Sequence, residues 1–287
     1  MDNIRTNPGK HSKRALSGIL MMIQASVAFS LMALFVKFAC HSLPSNEVVF
    51  FRSFIGLLII LGMIRRKRTS LFGHQRFWLF MRGVTGFLAL VLYFYAIKNM
   101  ALGTAVIINY MAPIFAAVLA VLFLREHLSL SLFGMILLAF FGLYLLVGNK
   151  LREWNIVAWA GMLSAVFAAI AFVSIRAIKH RESPLTVIFY FTGISTVGSL
   201  FLLPIGFRWP DLWTWAAIAG LGIFSFYGQL WLTISLRRAR TSLITPFSYL
   251  TPLLSFIYGL FIFDEKLTLK SCAGAGLTII SGILISY

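Results

Sequence analysis

The sequence predicts an all-α integral membrane protein: ten transmembrane helices forming two inverted five-helix repeats, with both termini cytoplasmic. Three observations carry that expectation. Of the 287 residues, 60% are hydrophobic and only 11% are charged, where a soluble domain carries about 25% charged residues. Apolar stretches near 20 residues, the length that crosses a bilayer core, recur along the whole chain. The second half also repeats the first. Tyr110-Met111-Ala112-Pro113 and Glu126 have partners in Tyr249-Leu250-Thr251-Pro252 and Glu265, each 139 positions on. After one inserted residue, Gly134 and Gly142 find Gly274 and Gly282.

The elements follow in order. A basic tail, 1–15, lacks an Ala-x-Ala-type cleavage site, so the first apolar run, 16–38, is read as a retained helix. The second, 45–64, follows Pro44 and stops at Arg65-Arg66-Lys67-Arg68; the third, 76–97, opens at Arg76. The fourth, 101–124, contains Pro113 and ends at Arg125; the fifth, 130–147, carries Gly134 and Gly142. These five make the first repeat, 16–147, and a loop, 148–154, leads to the second, 155–287. There the runs are 155–177, 184–206, 211–234, 240–263 and 268–286, the ninth containing Pro252. All ten are too long for barrel strands of about ten residues, so they are helices.

Charge sets the orientation. With the N-terminus inside, 16 Lys and Arg residues fall on the cytoplasmic side and 7 on the other, with Arg52 and Arg82 inside helices. This asymmetry is the positive-inside pattern. It also accounts for the net charge of +17 without a nucleic-acid partner, since the cations cluster at the ends of apolar runs. Because each half has an odd number of helices, homologous halves insert in opposite orientations. That inverted repeat recurs among secondary transporters and places a substrate site at the repeat interface.

Catalytic and metal chemistry find little support. Cys40 and Cys272 belong to no CxxC pair or Cys/His cluster, so no metal, cofactor or disulfide is expected. No HExxH, GxSxG or Asp pair is present, which argues against a membrane-embedded enzyme on lipid-linked substrates. A channel would need a continuous polar or carbonyl-lined path. The partners expected are a small-molecule substrate and the lipid bilayer, with the protein a monomer or homodimer in a bacterial inner membrane.

Polar groups inside a membrane are costly, so each calls for a reason. Arg52, expected towards the outer leaflet, and Arg82, towards the inner one, are candidates to meet a substrate carboxylate. For Arg52 the plain alternative is pairing with Glu47 or capping backbone carbonyls; for Arg82 it is snorkelling to the interface. Asn109, Tyr110, Ser248 and Tyr249 precede Pro113 and Pro252, and Gln229 is a further polar group at mid-membrane. A proline frees a helix carbonyl and kinks the chain, which is tolerated where the helix lines a cavity. These five residues are the expected cavity walls, with Gln24 and Tyr93 as additional candidates, and Pro113 and Pro252 the expected hinges. Glu126 and Glu265 are read as capping groups in the turns before the fifth and tenth helices. Gly134, Gly142, Gly274 and Gly282 mark those two helices as a closely packed scaffold. Glu47 is the sole carboxylate expected just inside the membrane, so facilitated diffusion or exchange, or weak coupling through Glu47, is favoured over proton symport.

The run Ala101-Leu102-Gly103-Thr104-Ala105, then Pro113, Leu124-Arg125-Glu126, Gly134 and Gly142, resembles the EamA-type repeat of the drug/metabolite transporter superfamily. Thr251-Pro252, Glu265, Gly274 and Gly282 repeat it, and Glu47-Val48-Val49-Phe50-Phe51-Arg52 resembles the start of that family's second helix. The resemblance implies ten helices, cytoplasmic termini and alternating-access carriage of a small organic metabolite. The Glu47–Arg52 segment is most similar to bacterial members that move amino acids or S-adenosylmethionine. Nucleotide sugars or other phosphorylated metabolites are the alternative cargo. The eighth and ninth helices contain no lysine, which weakens the sugar-phosphate branch.

Overall fold

Every regular element of the computed structural model is a helix among the described residues, which are 8–116, 119, 130–147, 156–178, 182–204, 206–239, 241–266 and 268–285. In the first half these are α1 (Pro8–Ser42), α2 (Ser45–Lys67), α3 (Arg76–Asn99), α4 (Leu102–Asn109) and α5 (Leu130–Val147). In the second they are α6 (Ile156–Ala177), α7 (Pro184–Leu200), α8 (Leu212–Arg238), α9 (Thr241–Ser248), α10 (Leu250–Ile262) and α11 (Leu269–Ile285). Five stretches are long and apolar enough to cross a bilayer: Ala15–Ser42, Ser45–Lys67, Arg76–Asn99, Ile156–Ile175 and Leu212–Leu236. Shorter apolar helices cover Leu102–Ala116, Phe133–Leu145, Pro184–Leu200, Pro246–Ile262 and Leu269–Leu284.

Local chemistry explains the helix ends. α7 starts where Pro184 fixes the first helical φ and the Ser183 hydroxyl accepts the Leu185 N–H. α8 starts at Asp211, whose carboxylate accepts the Thr214 N–H at 2.8 Å. The Thr214 hydroxyl, and after it that backbone bond, hold the Asp211 carboxyl below the usual carboxylate range. α2 stops at Arg68, in the left-handed region at φ 49°, with its N–H returned to the helix.

The packing is reciprocal between the halves. α1 lies along α8, and α3 lies along α6, so the first helix of each half packs on the third of the other. α2 packs on α7, α4 on α10 and α5 on α11, each against its own repeat mate. Close approaches use glycine. A Cβ on Gly142 would lie 2.6 Å from the Thr278 hydroxyl and 2.9 Å from the Gly274 carbonyl. This is the scaffold contact expected of the fifth and tenth spans. The main apolar core joins Val36, Phe94, Ile97, Leu102, Val106, Ile218 and Leu221. Six buried hydroxyls are satisfied within their own helices: Thr85, Thr192, Thr196, Ser199, Thr233 and Thr278 each donate to the carbonyl four residues back. Hydroxyls bonded in this way leave no polar group exposed to lipid.

The expected kinks are breaks. The helix starting at Leu102 pauses at Tyr110-Met111 and resumes at Ala112; the one starting at Thr241 pauses at Tyr249 and resumes at Leu250. Pro113 and Pro252 have no N–H for the carbonyls of Asn109 and Ser248, four residues earlier, and the ring crowds those carbonyls. The chain yields at the same repeat position in both halves.

Candidate functional site

The site is built from α2, α3, α7 and α8. Arg52 on α2 is 2% exposed and Arg82 on α3 is 6% exposed. Both guanidiniums lie against the ring of Phe191 on α7, with their central carbons 4.9 Å and 4.3 Å from its centroid. The sequence predicts the two arginines towards opposite leaflets; in the structure both guanidiniums come to one ring. Arg82 also points an N–H at the Gln229 carbonyl oxygen on α8, at 3.4 Å. Gly86 makes room for this group: a Cβ there would meet Arg82 Nη1 and lie 2.8 Å from the Phe191 ring. The close α3–α7 packing at Gly83, against the Tyr190 carbonyl, holds Phe191 in place.

The electrostatics are unbalanced. Arg52 Nε and Nη1 and Arg82 Nε are buried without a hydrogen-bond partner, as is the hydroxyl of Ser195, one turn beyond Phe191. Among the described residues, the ion pairs are Lys37–Glu265 and His74–Glu182, and neither arginine has a carboxylate. Burying an ion costs several kcal/mol even after relaxation, and a desolvated cation–π contact returns about 2 kcal/mol. Two cations on one ring therefore leave a deficit that an anion entering the site would offset. Glu47, the sequence-level partner for Arg52, instead accepts the Arg208 N–H at 2.7 Å. Arg82 is packed against Phe191 rather than extended into solvent.

A second polar layer lies at the helix breaks. The rings of Tyr110 and Tyr249 meet edge to face at 6.0 Å, and the Tyr249 hydroxyl faces the Tyr110 carbonyl at 3.5 Å. Asn109 donates to the Ser164 hydroxyl at 3.1 Å. Thr251 donates to the Ser26 carbonyl, and Ser26 to the Phe247 carbonyl, tying α10 and α9 to α1. Tyr249 is 3% exposed, while Tyr110, Asn109 and Ser248 are half-buried. Pro113 is half-buried and Pro252 buried.

The remaining candidates lie apart. Tyr93 is packed in the core beside Phe94. Gln24 is exposed on α1, between Leu20 and Val27. Glu126 lies outside the described residues. Glu265 acts as a cap, but across the repeat: it accepts the Leu102 N–H at the start of α4, at 2.8 and 3.0 Å. Lys37 stands 3.7 Å from Glu265 and donates to the carbonyls of Ile97 and Met100. Phe191 has no signal in the sequence, being one of 28 phenylalanines. Buried arginines without local acids were the readable half of that contact.

A helical membrane bundle with paired repeats, breaks at matched positions and unpaired buried cations belongs to the class of solute carriers. The EamA-like transporter family model matches residues 16–148 and again 155–287. The chain belongs to the EamA-like transporter family. It is 32% identical over 272 residues to the pseudopaline exporter CntI of Pseudomonas aeruginosa, covering 94% of this chain and 96% of that one. It is 24% identical over 283 residues to the S-adenosylmethionine uptake transporter of Rickettsia prowazekii, covering 96% and 94%. A solved crystal structure shares the fold at TM-score 0.67 and 18% identity, over 93% of this chain and 96% of that one. The protein is thus an integral membrane transporter of small molecules, within the drug/metabolite transporter superfamily, and not an enzyme.

Proposed function

We propose that this transporter carries an amino acid or amino-acid derivative with a free carboxylate, of which S-adenosylmethionine is an example, and binds it at Arg52 and Arg82. The observation that supports this reading is the pair of buried guanidiniums on Phe191 with no carboxylate partner among the described residues. A carboxylate is the planar acceptor that a guanidinium fork matches. The relatives named for pseudopaline and S-adenosylmethionine agree with a metabolite cargo, one named for export and the other for uptake.

The mechanism is alternating access in a ten-span bundle of two inverted halves, with both termini cytoplasmic and the protein in a bacterial inner membrane. Helices α4 and α9–α10 flex at Pro113 and Pro252, while Asn109, Tyr110, Ser248 and Tyr249 line the moving walls and Gln229 orients Arg82. Tyr93, in the core cluster that Tyr110 packs against, stands behind those walls, and Gln24, exposed on α1, is left outside the path. Facilitated diffusion or exchange is the mode, because the carboxylates Glu47, Glu182 and Glu265 are each engaged by backbone N–H groups. Phosphate oxygens also pair well with arginine, so phosphorylated metabolites are the second reading.

A thermal-stability screen of purified protein against amino acids, S-adenosylmethionine, nucleotide sugars and sugar phosphates tests the choice. A ligand of the folded state raises its stability by mass action. A concentration-dependent shift with carboxylates, absent in Arg52→Gln, supports the reading. A shift only with phosphorylated compounds transfers the site to the second reading. A carboxylate shift that survives in both Arg52→Gln and Arg82→Gln removes the arginines from the site.

A further inference from the structure

We infer that the cargo carries two carboxylates, one for each arginine of the Phe191 site, which narrows the proposed carboxylate cargo and sets aside S-adenosylmethionine, with its one carboxylate and its sulfonium cation; this rests on the proposed carboxylate-binding role of Arg52 and Arg82. The argument is a count of charges and partners at one place. Both guanidiniums stand on the same aromatic ring, 4.9 and 4.3 Å from its centroid, so one small molecule spans both. Each retains buried N–H groups with no acceptor: Nε and Nη1 on Arg52, Nε on Arg82. They come from different helices, α2 and α3, and approach the ring independently, so a single carboxylate does not saturate both. A single anion also leaves one net positive charge buried beside a ring whose face is already shared by two cations. Two carboxylates neutralise the site and give each guanidinium its own planar acceptor.

The neighbouring groups agree with that stoichiometry. Gln229 is the neutral side chain bonded to Arg82, and it holds the guanidinium without cancelling its charge. The Ser195 hydroxyl, buried and unpartnered one turn from Phe191, is an uncharged donor on the same helix. The Gly86 clearance is filled by the arginine and the phenylalanine themselves, so the seat is shaped for the two side chains. The described acids nearest in role are committed elsewhere: Glu47 to the Arg208 N–H, Glu182 to the His74 and Gln75 N–H groups, Glu265 to the Leu102 N–H.

The test uses the full-length protein in detergent and six probes: L-glutamate, L-2-aminoadipate and L-2-aminopimelate, each paired with its ω-amide. The amide keeps shape and removes one charge. The expected result is that at least one dicarboxylate binds roughly tenfold or more tightly than its ω-amide, read from concentration-dependent thermal shifts. Arg52→Gln and Arg82→Gln should each lower the dicarboxylate to the affinity of the amide. This comparison begins with unmutated protein, so a variant that fails to fold does not remove the test; Arg52→Lys and Arg82→Lys, which keep the charge, serve as second variants. Equal binding of acid and amide, with both arginines still required, overturns the two-carboxylate inference and leaves the carboxylate reading standing. Binding that ignores both arginines overturns both. Unmutated protein that binds none of the six overturns this inference, and the carboxylate reading then depends on the wider screen.

Discussion

Glu265 joins three elements through one carboxylate. It receives the Leu102 N–H at the head of α4 and faces Lys37 of α1, which in turn holds the carbonyls of Ile97 and Met100 at the end of α3. Hydrogen bonds to a charged group are worth about 1.5–3 kcal/mol. Glu265→Gln should therefore lower the detergent melting temperature by an amount corresponding to roughly 1–3 kcal/mol, while Lys266→Gln, at an exposed neighbour, should change it little. Equal melting of E265Q and unmutated protein would contradict the cap. The sequence marked Glu265 as a capping group, because an acid at the end of an apolar run before a helix has that ordinary use. It did not show that the capped helix belongs to the other half, since the 163-residue separation is bridged only by tertiary packing. The same limit hid Phe191. Arg52 and Arg82 stand out because charge inside an apolar run is costly, whereas the ring they share is chemically ordinary.

At the level of elements, the paired breaks were legible as prolines at a fixed repeat interval, and the structure adds where the chain gives way. Replacing both Pro113 and Pro252 with alanine restores the missing N–H groups and removes the ring clash with Asn109 and Ser248. The double variant should reach the membrane folded and lose transport in proteoliposomes by tenfold or more, each 1.4 kcal/mol being a factor of ten. Full transport in that variant would remove the prolines from the mechanism. The α8 start responds to acid. The Asp211 carboxyl is held below its ordinary range by the Thr214 hydroxyl and N–H, so the cap contributes above the ordinary carboxylate pKa and is lost as pH falls through the lowered one. Amide exchange in the first turn of α8 should rise over that acidic interval. Asp211→Ala should exchange fast throughout, with no such dependence on acid.

For the whole molecule, the repeat in the sequence corresponds to the reciprocal packing of the helices, α1 on α8 and α6 on α3. The join at α5 and α11 rests on the Gly142 approach to Gly274 and Thr278. Gly142→Val would drive two methyl groups into backbone, and overpacking of this sort costs about 1–3 kcal/mol. A fall of that size in thermal stability is expected; an unchanged melting curve would show that the two helices separate freely. Glycine spacing pointed to this contact because small residues one or two turns apart have few other uses in a bundle. The site was less legible, because it gathers Arg52, Arg82, Phe191 and Gln229 from four helices with no shared spacing. Its two buried guanidiniums have an electrical meaning as well. An elementary charge crossing the full membrane field is worth about 2.3 kcal/mol per 100 mV. With the site changing sides and taking an anionic cargo as proposed, the vacant carrier would move positive charge through whatever fraction of the field the site traverses, and the filled one would move less. Membrane voltage would then act on the return of the empty protein more strongly than on the journey with cargo, and the resting potential would become part of what sets the turnover.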